Sequence, residues 1–78
     1  MDLATGRYRH YKGNEYDVYG VARHSETEQR LVVYRPRYGK RQLWVRPLDM
    51  FMETVSLDGE DVPRFLLIAA SEDQASHL

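Results

Sequence analysis

Histidines and a run of cations set among aromatic rings are the residues of this 78-residue chain that could do chemistry. His10, His24 and His77 are the side chains able to move a proton near neutral pH. His24-Ser25-Glu26 places a base, a hydroxyl and a carboxylate in a row, the membership of a hydrolase triad. Consecutive residues cannot aim their side chains at one another in triad geometry. Ser25-Glu26-Thr27-Glu28 instead has the S-x-x-E form of a capping box, which makes Ser25 a cap for a single helical turn. There is no cysteine, no H-E-x-x-H and no glycine-rich phosphate loop, and two strand histidines lack a third metal ligand. No catalytic residue, metal or cofactor is therefore expected, and the chain does not read as an enzyme.

The cations offer a different chemistry. Between Glu28 and Asp49 there is no acid, while Arg30, Arg35, Arg37, Lys40, Arg41 and Arg46 all lie there. Tyr34, Tyr38 and Trp44 are interleaved with them. Guanidinium and ammonium groups would take phosphates, and rings could stack unpaired bases or anchor a protein interface. Tyr8, His10, Tyr11 and Tyr19 could extend the same surface into an aromatic groove of the kind that takes extended peptides. Arg23 and His24 end a strand beside a polar turn, where Glu26 or Glu28 could instead tie them down.

Net charge is −1, but Met1–Pro47 holds ten Lys/Arg against five Asp/Glu, and Leu48–Leu78 one against seven. This asymmetry points to a basic and an acidic face. Against nucleic-acid binding, the whole domain is not basic. The length allows one domain, and a chain of this size buries only about 60% of its unfolded surface. The lack of cysteine fits a reducing cytosol. No apolar run approaches 18 residues, and the first residues lack a signal-peptide core.

These side chains must be positioned by short strands. Nine aromatic residues, six of them Tyr, favour β-structure. Arg7-Tyr8-Arg9-His10-Tyr11 alternates, as a half-buried strand does. Tyr16–His24 and Leu31–Arg35 read as a central hairpin, and Gly20 predicts a bulge that lets Val18 and Val21 both be buried. Leu43–Arg46 alternates again, and Arg46 beside Trp44 is placed for a cation–π contact. Leu48 and Phe51 suit a 3₁₀ turn. Asp58-Gly59 predicts a type I′ hairpin turn, and Phe65–Ile68 a last strand, with helix as the other reading. The prediction is an all-β fold: a small SH3-like barrel of five or six short antiparallel strands with a 3₁₀ turn before the fifth. Residues 1–5 are read as a flexible lead-in, 6–69 as the domain and 70–78 as a flexible tail.

The strings Gly6-Arg-Tyr-Arg-His-Tyr-Lys-Gly13, Val21-Ala-Arg-His-Ser-Glu-Thr27, Val32-Val-Tyr34 and Leu43-Trp-Val-Arg-Pro-Leu48, with Met50-Phe51, closely resemble the bacterial domain of unknown function 1653 family. The resemblance covers Gly6 to about Phe65. It implies a small all-β domain of the bacterial cytosol and carries no catalytic residues.

The combined expectation is a cytoplasmic binding module that contacts a protein or peptide through an aromatic-basic face. The face comprises Tyr8, His10, Tyr11, Arg23, His24, Tyr34, Arg37, Tyr38, Trp44 and Arg46. The alternative is binding of RNA or other single-stranded nucleic acid. No membrane contact is expected, and the chain should be a monomer or a weak homodimer.

Overall fold

The computed structural model describes residues 3–71. Seven strands and one helical turn follow one another. They are β1 (Gly6–His10), β2 (Glu15–Arg23), β3 (Arg30–Pro36), β4 (Trp44–Pro47), α1 (Leu48–Phe51), β5 (Thr54–Leu57), β6 (Glu60–Pro63) and β7 (Phe65–Ala70). The first four strands are successive neighbours, and β7 returns beside β1. The antiparallel sheet has the order β4-β3-β2-β1-β7, while β5 and β6 pair apart from it.

The all-β architecture is as expected, with two differences in detail. The ladder stops at β4 and β7, so the sheet does not close into a barrel by hydrogen bonds. One of these ends, β4, has only four residues and finishes on Pro47, which has no N–H to donate. Among the described residues there are seven strands, because Arg64 separates β6 from β7. Its N–H donates to Glu53 O and its carbonyl accepts Tyr11 N–H, each at 2.9 Å, passing the chain from the hairpin to the sheet.

The bulge in β2 falls where Gly20 placed it. Val18 pairs with Tyr34 and Gly20 with Val33, so Tyr19 is the extra, unpaired residue. The phase change turns Val21, opposite fully buried Val32, towards the core face as well as Val18. Asp58 and Gly59 have φ of 53° and 84°, the two positive values of a type I′ turn. The turn before β5 mixes spacings: Met52 N–H donates to Leu48 O at 3.0 Å, and Glu53 N–H to Met50 O at 3.4 Å.

One face of the sheet carries the core of Tyr8, Tyr16, Val18, Val32, Tyr34 and Phe65, capped by Phe51 from α1. Phe51 stacks on Phe65 at 4.1 Å with planes 1° apart, and meets Tyr8 and Tyr34 edge-on. Leu3 and Leu48 pack against the cluster. Within the expected lead-in, Ala4 O accepts the Tyr8 hydroxyl at 2.7 Å and Thr5 O accepts Ser71 N–H at 2.9 Å. Residues 1–2 and 72–78 of the expected lead-in and tail lie outside the described residues.

Candidate functional site

The ten residues expected to form one face do not share one environment. Tyr8 and Tyr34 belong to the core, at 4% and 3% exposure. Their assignment to an outward face is therefore corrected. Tyr8 pairs with Tyr16 and Tyr34 with Val18, and side chains directly opposite one another share a face. Once Tyr16 and Val18 turn inward, their partners must follow.

Tyr38 and Trp44 do reach the surface, at 43% and 42% exposure. With Pro36, Lys40 and Arg41 they line a cleft of about 200 Å³. Gly39 and Arg41 have φ of 63° and 57°, which folds the loop back on itself. Both rings are held from below. The Tyr38 hydroxyl lies 3.2 Å from that of Tyr16, and the Trp44 ring packs on Tyr34 at 6.0 Å and Tyr16 at 6.5 Å. Burial, then the Tyr38 hydrogen bond, pushes the Tyr16 phenol up to about 12. Trp44 thus rests against two core rings while remaining exposed. Among the described residues no acid pairs with Lys40 or Arg41.

Two cations expected at this cleft are committed elsewhere. Arg37 Nη1 donates to both oxygens of Asp17 at 2.9 Å. Arg46 Nε donates to the Tyr34 hydroxyl at 3.2 Å, and its guanidinium lies 5.6 Å over the Phe65 ring. The cation–π contact expected with Trp44 forms with Phe65 instead, because Arg46 points across the core towards β7.

His10 and Tyr11 belong to a second, mostly apolar cleft of about 310 Å³, shared with Leu57, Val62, Pro63 and Leu66. His10 packs edge-on to Phe65 at 4.9 Å, and its Nδ1 accepts Lys12 N–H at 3.1 Å. Burial, then the positive charges of Arg64, Lys12 and Arg46, hold its imidazole below the ordinary histidine range. Leu57, Val62 and Leu66 were not expected here. They arrive through the Asp58-Gly59 reversal and the passage at Arg64, both far along the chain from His10.

Arg23 and His24 form a local turn. Arg23 pairs with Glu28 at 3.6 Å. Glu28 N–H donates to His24 O at 2.8 Å, closing the single turn expected there. The cap differs: His24 Nδ1 accepts the N–H groups of Glu26 and Thr27, at 3.0 and 3.3 Å, while the Ser25 hydroxyl reaches only the Glu26 carboxylate. His24 thus does the work assigned to Ser25.

Among the described residues no three His, Cys, Asp or Glu side chains gather to hold a metal, and no helix is long and apolar enough to cross a membrane. Fold and surface together define a small all-β domain with an open, cation-rimmed aromatic cleft. The chain belongs to the family described as protein of unknown function (DUF1653), whose model matches residues 6–67. A crystal structure of a DUF1653 protein from Bordetella bronchiseptica is similar to it, with a TM-score of 0.79 and 35% identity over 88% of this chain and 91% of that one. Comparison with the curated proteins finds no match.

Proposed function

We propose that this domain is a binding module, not an enzyme, whose Tyr38–Trp44 cleft takes an extended acidic segment of a partner protein. The observation that carries this reading is the cleft itself: two exposed rings beside Pro36, rimmed by Lys40 and Arg41, with which no acid among the described residues pairs. The rings supply the apolar anchor of an interface, and the cations select carboxylates and quicken encounter. An SH3-like use of such a groove, with a proline or aromatic residue between the rings, fits its size. A cytosolic setting agrees with the absence of cysteine. Nucleic-acid binding at the same cleft is the weaker reading, because buried Tyr34 is lost as a stacking ring.

Trp44 is the one tryptophan of the chain, so its fluorescence reports on the cleft directly. Extended peptides carrying Pro or Tyr among Glu residues should shift its emission. Substituting both Lys40 and Arg41 by Gln should weaken that binding about tenfold or more. A folded Trp44→Ala protein that keeps full affinity for such a peptide, measured with a label on the peptide, would remove the proposal.

A further inference from the structure

The face of the sheet opposite the core carries a second cluster of charge. Arg7, Asp17 and Arg35 are direct cross-strand partners on β1, β2 and β3 and so form one row. Their neighbours Tyr8, Tyr16 and Tyr34 point into the core, so this row points away from it. Asp17 is the row's one acid, and Arg37 holds both of its oxygens at 2.9 Å. Arg7 and Arg35 are left without an acidic partner among the described residues. Counting Arg37 with Arg7, Arg35 and Asp17, the balance among the described residues is two cations in excess.

A ring lies beside them. Tyr19 is the bulged residue of β2, freed from the ladder to β3 and 52% exposed. Bulges re-aim side chains in this way, often next to functional sites. The Arg35 guanidinium lies 5.7 Å over the Tyr19 ring, while its Nε is buried with no hydrogen-bond partner among the described residues. A buried guanidinium nitrogen left unpaired is costly unless something offsets it. Tyr19, Arg7 and Asp17 line a cleft of about 410 Å³ together with Gly6, Ala69 and Ser71. That volume lies in the range of small-ligand sites.

We infer that this cleft binds a nucleotide unit, with the base stacked on Tyr19 and the phosphate held by Arg7. Arg35, set against the Tyr19 ring and outside the cleft lining, stiffens the platform and adds positive potential. Stacking tolerates any base, and one phosphate suits the charge excess. The site shares no residue with the Tyr38–Trp44 cleft and does not depend on the function proposed for it. The nucleotide could be free or part of a single strand. Both present the same chemistry.

The test uses the whole chain with three probes: adenosine monophosphate, an eight-nucleotide single-stranded RNA, and inorganic phosphate. Binding is read by amide chemical shifts and by anisotropy of labelled RNA at low salt. Monophosphate should perturb Arg7, Asp17 and Tyr19 before Lys40 or Trp44, and phosphate alone should bind more weakly. A gain in affinity from monophosphate to RNA assigns the site to a strand, and equal affinity assigns it to the free nucleotide. Tyr19→Ala should weaken binding by about five- to a hundredfold, the usual range for losing one stacked base. Arg7→Gln should lower the salt slope by about one. No binding of either nucleotide at low salt would overturn the inference. So would full retention in folded Tyr19→Ala and Arg7→Gln, or loss only in Trp44→Ala.

Discussion

Arg46 on one end strand of the sheet lies 5.6 Å over the ring of Phe65 on the other. The two strands share no ladder, so the curl of the sheet is completed by a cation and a ring. The same guanidinium binds the Tyr34 hydroxyl through Nε. Arg46 is thus a structural clasp over the core, not a free ligand-binding cation.

Replacing Arg46 by Ala should cost about 1–3 kcal/mol, from a partly desolvated cation–π contact and a charged hydrogen bond. Arg46→Met should recover part of this, because the arginine stem also covers apolar surface. Urea unfolding checks both, through a lower midpoint at unchanged slope. A midpoint equal to the parent's in Arg46→Ala would show that the clasp contributes nothing.

Phe51 is 1% exposed and stacks on Phe65, yet it comes from a helical turn of four residues with no side-chain cap. Packing therefore holds the turn in place, since one turn has no helical stability of its own. Phe51→Ala should cost about 3–5 kcal/mol. A domain of this length has only about 4–12 kcal/mol in total. The variant should be close to unfolding at 37 °C, with Phe51→Leu intermediate. Near-native thermal stability in Phe51→Ala would mean the turn is not part of the core.

The parts of the fold readable in the sequence are those fixed by neighbours in the chain. Asp58-Gly59 announces its turn, Gly20 its bulge, and the alternation from Arg7 to His10 its strand. The site was legible where exposure is local: Tyr38 and Trp44 occupy or adjoin a Gly- and Lys-containing loop that no strand covers. Register decided the rest. Tyr8 and Tyr34 alternate with arginines as surface residues would, and only pairing with Tyr16 and Val18 sends them inward. The clefts at His10 and Arg7 depend on β7 returning beside β1, a contact between residues about sixty apart. No periodicity within a strand encodes that.

That return also explains Gly6. A Cβ at this position would lie 2.3 Å from Ala69 O and 2.8 Å from Ser71 N, and φ is 140°, which disfavours any side chain. Both obstacles are backbone, so neither can swing aside. Gly6→Ala should cost at least about 2 kcal/mol, by strain and by parting β1 from β7. Amide exchange should then quicken along Phe65–Ala70 more than along β3. Uniform change across the sheet, or none, would contradict this account of the glycine.

The His10 imidazole is held below its ordinary value by burial and by Arg64, Lys12 and Arg46. The folded state therefore takes up a proton less readily than the unfolded chain, whose histidine titrates near pH 6.5. Where the unfolded chain binds more protons, stability rises with pH. The contribution is thus complete above about pH 7 and is lost as pH falls from about 6.5 through the folded value. Carboxylates also titrate on the acid side, so the comparison must be made against a variant. His10→Asn keeps an acceptor for Lys12 N–H and removes the proton site. The parent's melting temperature should fall more steeply than the variant's between pH 7 and 5, and the imidazole midpoint followed by NMR should lie below 6.5. Parallel melting profiles, or a midpoint at or above 6.5, would show that His10 is solvated and not pressed between Phe65 and three cations.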